Sequence, residues 1–249
     1  RNGSGKSTVM KMICGLVPQT AGTVRIFGEQ FAPGTTSRRI GAVIEDPGFY
    51  PGFTGLDNVR CRALSLGLPD EKAASARALE QVGLAEVARK KAKAYSLGMK
   101  QRLGLAMALV GSPDILMLDE PFNGLDPQVV REVRSLIVRL AETRGVTVFI
   151  SSHVLDQLER MVTRYGVIRE GRLVREVTAA EVEAECADYL NVRCADTELA
   201  LSVLQTAFPQ AVFSVMPDNA LHVSGGVVPQ EAGRALAQKG IVVEELYVH

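Results

Sequence analysis

The first eight residues, Arg1-Asn2-Gly3-Ser4-Gly5-Lys6-Ser7-Thr8, constrain this 249-residue chain more than any other stretch. They match the phosphate-binding pattern G-x-x-x-x-G-K-[ST] from its second position onward, and the apolar residues Val9, Met10, Ile13, Leu16 and Val17 follow at helical spacing. Glycines let successive backbone N–H groups turn inward around phosphate oxygens, and the helix behind them aims its positive end at the same point. Residues Asn2 to Thr8 therefore read as a cradle. Lys6 supplies a mobile charge for the outer phosphates, and the Ser7 hydroxyl can ligate Mg²⁺. The bland alternative is a glycine-rich turn before a helix. The pattern's first glycine would precede Arg1, and no initiator Met opens the chain, so the sequence reads as a fragment that lacks its N-terminal part.

A second stretch, Asp114-Ile115-Leu116-Met117-Leu118-Asp119-Glu120, is an apolar run that ends in two acids. A run of this kind suits a strand buried on both faces of a parallel sheet. Ligands of such sheets gather at the carboxyl ends of the strands. Asp119 is thus placed to hold Mg²⁺, and Glu120 to polarise an attacking water. On its own, the run could equally be a strand that ends in a solvated acidic turn.

Three further segments narrow the class. Tyr95-Ser96-Leu97-Gly98-Met99-Lys100-Gln101-Arg102 opens a helical pattern, Asn123-Gly124-Leu125-Asp126 follows the acidic pair, and Ser151-Ser152-His153 ends the apolar strand 146–150. With the first two motifs, and in this order over residues 1 to 175, they resemble the nucleotide-binding subunits of ABC transporters. The resemblance implies an α/β P-loop NTPase fold with an α-helical subdomain at about 50–110, and ATP and Mg²⁺ as cofactors. It implies Lys6, Glu120 and His153 as catalytic residues, with His153 steadying the γ-phosphate. It gives Ser96 and Gly98 to ATP held by the opposite subunit, and Asp126 to the link between two sites. It also implies Ser7, Asp119 and Glu45 as metal ligands.

Two departures from the family pattern stand out. The usual Leu-Ser-Gly-Gly-Gln signature is here Tyr95-Ser96-Leu97-Gly98-Met99. In Ile44-Glu45-Asp46-Pro47, Glu45 stands where the family usually has Gln. A carboxylate facing a γ-phosphate is costly unless Mg²⁺ lies between them or it is protonated, and Glu45 is expected to depend on Mg²⁺ for its role. Together these two segments resemble those of the exporter ATPases of bacitracin resistance and lantibiotic immunity.

Helices are predicted at 57–67 and 70–83, each with an Asp cap and a Gly stop. The resemblance places a groove here, near Phe49, Tyr50 and Phe53, for a short helix of a membrane subunit; ordinary packing of these aromatics is the alternative. The run Arg89-Lys90-Lys91-Ala92-Lys93 reads as a solvated face. No apolar stretch is long enough to span a bilayer, so a transporter of this kind needs its pore from a separate permease chain. Cys14, Cys61, Cys186 and Cys194 lack metal or disulfide spacing and read as reduced thiols in a cytoplasmic protein.

Charge divides the chain. Residues 1–175 hold 25 bases and 17 acids, a net of +8, whereas residues 176–249 hold 3 bases and 11 acids, a net of −8. The break follows a hairpin at 166–175 with a turn at Glu170-Gly171. Domains are therefore predicted at 1–176 and 177–249. After a short helix at 178–186 the second reads as strand 189–194, helix 197–208, strands 212–215 and 220–223 around Pro217-Asp218-Asn219, helix 229–238 and strand 241–248. That βαββαβ order is a small α+β, ferredoxin-like domain, read as a structural or dimer-packing appendage in preference to a ligand sensor. His222 and His249 read as surface or sheet residues.

The expectation is an ATP-hydrolysing export subunit at the inner face of a membrane, its cargo a peptide antibiotic or lipid-like compound. It would pair with a second ATP-binding subunit, as a homodimer, with no nucleic-acid partner. The alternatives are a soluble ABC ATPase of DNA repair or translation, and a weakly hydrolysing nucleotide-gated module. The unbroken spacing between Lys6 and Asp119, with no heptads, speaks against the repair type.

Overall fold

A computed structural model describes residues 3–159, 161–185, 188–216 and 218–248. Asn2, Cys186, Pro217 and His249 lie outside the described residues. The chain divides into two compact units, Arg1–Glu176 and Val177–His249.

The first unit is built on a parallel sheet in the order β3 (Ile40–Val43), β4 (Ile115–Asp119), β5 (Thr147–Ser151). The apolar run of β4 is continuous because both of its faces are covered. Leu116 and Leu118 point into a core with residues of α4 (Leu97–Leu109) and α5 (Pro127–Arg144), including Leu103, Leu105, Val133 and Ile137. Met117 points the other way, against Met10 and Cys14 at α1 (Lys6–Ile13) and Ile26 of the hairpin β1 (Val24–Ile26)–β2 (Glu29–Phe31). Alternation along the strand thus serves two cores at once.

α1 is shorter than the apolar periodicity suggested. Gly15 takes a left-handed turn at φ 70°, which stops the helix and leaves Leu16 and Val17 outside it and exposed.

The helical insert follows α2 (Gly55–Ser65) and α3 (Glu71–Gln81). The predicted Asp57 cap is corrected. Thr54 is the N-cap, its Oγ accepting from Asp57 N at 3.0 Å, while Asp57 sits in the first turn and accepts from the Thr54 hydroxyl at 2.6 Å. The acid three residues into the helix reads like a cap in sequence, but the threonine before it has the extended backbone a cap needs. Asp70 does cap α3, accepting from Ala73 N. Beyond β5, β6 (Arg164–Arg169) and β7 (Arg172–Thr178) form a hairpin around Glu170 and Gly171, both at positive φ.

In the second unit, α6 (Ala179–Glu185) opens with a capping box in which Thr178 and Glu181 exchange side-chain-to-backbone bonds. A four-stranded antiparallel sheet follows, ordered β11 (Val243–Val248), β8 (Tyr189–Cys194), β10 (Leu221–Ser224), β9 (Val212–Val215). α7 (Thr197–Ala207) and α8 (Pro229–Gln238) bury Ala200, Leu204, Ala232 and Leu236 against Leu190, Val192, Leu221 and Val223. Leu199 of α7 is exposed, because the buried stripe runs through Ala200 and Leu204. The last strand begins at Val243 and not at Ile241, whose N–H closes the C-terminus of α8 on Leu236 O.

Candidate active site

The chemistry-bearing residues of the first unit gather at the carboxyl ends of its parallel strands. Gly3 and Gly5 adopt φ of 78° and 99°, where an L side chain is strained, and Gly5 leads directly into α1. Gly5 also has the tip of the β6–β7 hairpin against it: a Cβ there would lie 3.3 Å from Gly171 Cα, and Gly171 N donates to Ser4 O at 3.0 Å. Ser4 Oγ is buried without a hydrogen-bond partner among the described residues, an atom that a phosphate oxygen would satisfy.

β4 delivers Asp119, 4% exposed, and then Glu120. Parallel pairing sets Asp119 opposite Ser151 of β5. The Ser151 hydroxyl donates to Asp119 Oδ1 at 2.5 Å and accepts from Glu120 N at 3.0 Å, so one serine orients both acids. Ser151 carried no individual role in the sequence reading, because the register that sets it beside Asp119 arises only when strands distant in sequence pair.

Glu120 turns its carboxylate between Lys6 and His153. Lys6 Nζ lies 3.8 Å from Oε1; His153 meets Oε2 through Nδ1 at 2.8 Å and through its backbone N–H at 3.3 Å. Lys6, Asp119, Glu120 and His153 come from the start of α1 and the ends of β4 and β5, more than 140 residues apart at the extremes. A carboxylate set between a histidine and a lysine at a phosphate loop is an arrangement able to orient a water for attack on a phosphoryl group.

A protein-family model described as ABC transporter matches residues 1–123. The chain is 38% identical over 248 residues to the bacitracin transport ATP-binding protein BcrA of Enterococcus faecalis, spanning 99% of this chain and 80% of that protein. It belongs to the ATP-binding subunits of ABC transporters. It is also 39% identical over 175 residues to the lantibiotic transport ATP-binding protein SrtF of Streptococcus pyogenes, across 70% of this chain and 75% of that one. Among solved structures, the dimeric ATP-binding cassette MJ0796 in a post-hydrolysis state with ADP and Pi superposes at a TM-score of 0.63. It is 26% identical over 72% of this chain and 82% of its own. As an ABC ATPase, this chain binds ATP and hydrolyses it.

The rest of the ABC motif set occupies other elements. Ser96 is the N-cap of α4, its Oγ accepting from Met99 N at 3.3 Å, and the hydroxyl proton takes no part in that bond. Gly98 is buried against α5, where a Cβ would come within 2.5 Å of Val129 Cγ1. Leu97, the signature substitution, is 54% exposed at the helix start. Asp126 precedes α5 without making a side-chain cap bond, next to Pro127, which has no N–H to offer. Glu45 stands just past β3 at φ 62°, its Oε1 bonded to Lys11 Nζ of α1 at 2.6 Å. Tyr50 and Phe53 are exposed with ring centroids 5.3 Å apart, whereas Phe49 packs on the core. No helix of the described residues is long and apolar enough to cross a membrane.

Proposed function

We propose that this ATPase drives export of a peptide antibiotic or lipid-like compound through a membrane subunit on a separate chain, from the cytoplasmic face of that membrane. The similarity to bacitracin and lantibiotic transport proteins supports the cargo class. Two copies stack head to tail. Each ATP lies between the loop Gly3–Thr8 with Lys6 of one copy and Ser96 and Gly98 of the other, and Asp126 couples the two sites. The exposed Tyr50–Phe53 pair is the contact for the membrane partner. The unit 177–249 is a packing appendage of the assembly.

Within each site Glu120 orients the attacking water, and His153 holds Glu120 while steadying the γ-phosphate. Among the described residues no group of three or more His, Cys, Asp or Glu can cage a metal ion. Mg²⁺ on a nucleotide needs no such cage, since one or two protein oxygens complete a shell made of phosphates and water. The hard oxygens of Ser7, Asp119 and Glu45 fit that demand, and Mg²⁺ bound there would neutralise charge on the β and γ phosphates.

The convergence of Lys6 and His153 on Glu120 carries this reading. Its test is solution mass by light scattering on the Glu120→Gln variant, with and without MgATP. A nucleotide-dependent shift from monomer to dimer is expected. A variant that binds ATP and stays monomeric would overturn the self-paired sandwich.

A further inference from the structure

Lys11 is absorbed by none of the roles above, yet it makes one of the shortest ion pairs in the chain, at 2.6 Å to Glu45. Its place on α1 gives the contact meaning. Lys11 follows Ser7 by four residues, so the two side chains lie on one helix face, stacked a turn apart. Ser7 and Glu45 are both proposed to reach the same Mg²⁺. The Glu45 carboxylate is instead held one turn further along α1 from Ser7, at the ammonium of Lys11.

We propose that Lys11 is a positioning residue that parks Glu45 away from the metal position and releases it only when Mg²⁺–nucleotide arrives. The inference rests on the reading of Glu45 as a metal ligand. A carboxylate at this position needs such a device and a glutamine does not. An unpaired carboxylate beside phosphate oxygens repels them, and a neutral amide has no charge to hold back. Lys11 is the counterion that keeps Glu45 off the incoming phosphates. Mg²⁺ then competes with Lys11 for one carboxylate, which sets the metal concentration at which Glu45 engages. The pair is partly exposed, with side-chain exposures of 29% for Lys11 and 65% for Glu45, so the competition is mild and reversible.

The test is Mn²⁺ affinity by EPR, with the non-hydrolysable analogue AMP-PNP bound, across a double-mutant cycle. Lys11→Met is expected to tighten Mn²⁺ by about twofold to fivefold, the range of a partly exposed ion pair. Glu45→Gln is expected to weaken Mn²⁺, Lys11→Met is expected to have no effect in the Glu45→Gln background, and Lys11→Arg is expected to keep wild-type affinity. If Lys11→Met has no effect with Glu45 in place, or the same effect in both backgrounds, Lys11 acts as a general charge and the parking role is wrong. If Glu45→Gln leaves Mn²⁺ affinity unchanged, the metal-ligand reading of Glu45 fails first, and the parking role falls with it.

Discussion

Glu45 and Glu120 each stand two residues past a paired position of neighbouring parallel strands, Val43 and Leu118, and both are held in the left-handed backbone region, at φ 62° and 47°. A non-glycine residue in that region costs about 1–2 kcal/mol. At a strand end the turn swings the side chain out of the sheet's alternation and toward α1. There the two carboxylates meet different partners, Lys11 for Glu45, and Lys6 with the His153 ring for Glu120. Strain at two positions of one site, each bound to a cation, marks a place where the backbone serves chemistry more than stability.

That strain is measurable at Glu120. Glu120→Gln keeps a side chain in the left-handed turn, whereas Glu120→Gly relieves it. Both variants are expected to lower ATP turnover by about 10²-fold or more, the usual worth of a general base. In urea unfolding the glycine variant is expected to be more stable than the glutamine variant by about 1 kcal/mol. Equal stabilities would show that the turn is unstrained.

Ser151 holds the two acids in place from the neighbouring strand, with Asp119 buried behind it. Ser151→Ala leaves a buried carboxylate oxygen and the Glu120 N–H short of a partner. Its expected cost is about 1–3 kcal/mol in chemical denaturation. Turnover is expected to fall while ATP affinity, read by equilibrium binding, changes little, because Ser151 acts through Asp119 and Glu120. A loss of nucleotide affinity as large as the loss of turnover would contradict that division.

Gly98, proposed to meet ATP across a pair, also matters inside a single chain. A Cβ at this position would push into Val129 Cγ1 at 2.5 Å, so Gly98→Ala is expected to destabilise the α4–α5 contact by about 1–3 kcal/mol. Val129→Ala removes the obstructing methyl. Thermal unfolding of the double variant is expected to recover most of the loss, giving a non-additive cycle. Additive losses would place the clash elsewhere.

Burial pushes the Cys14 thiol up to about 11 from an ordinary 9.0. A group whose pKa is raised on folding keeps the folded chain protonated where the unfolded chain has ionised. Its contribution to stability is therefore fully present below pH 9 and is lost as pH rises toward 11. Cys14→Ala is expected to flatten the fall in denaturation midpoint across that window. In thiol labelling of the native protein, the half-buried Cys61 is expected to react well before the buried Cys14.

Much of this protein follows from local pattern. The phosphate loop, the doubly buried strand β4 and the caps at Asp70 and Ser96 rest on residue spacing and backbone preference, which act over a few residues and are written into the chain directly. The βαββαβ order of the second unit is legible for the same reason, because strand and helix periods differ. Tertiary structure decided what depends on pairing between distant strands. Ser151 serves Asp119 because parallel register sets them side by side, and Glu120 sits between Lys6 and His153 because three separate elements end at one place. Lys11 reaches Glu45 because α1 packs next to the end of β3 and one helical turn separates Lys11 from Ser7. The left-handed turn at Gly15 ends α1 although the apolar pattern continues, and only the packed structure shows why that residue must be glycine: a Cβ there would lie 2.1 Å from Thr35 O of a segment that crosses it.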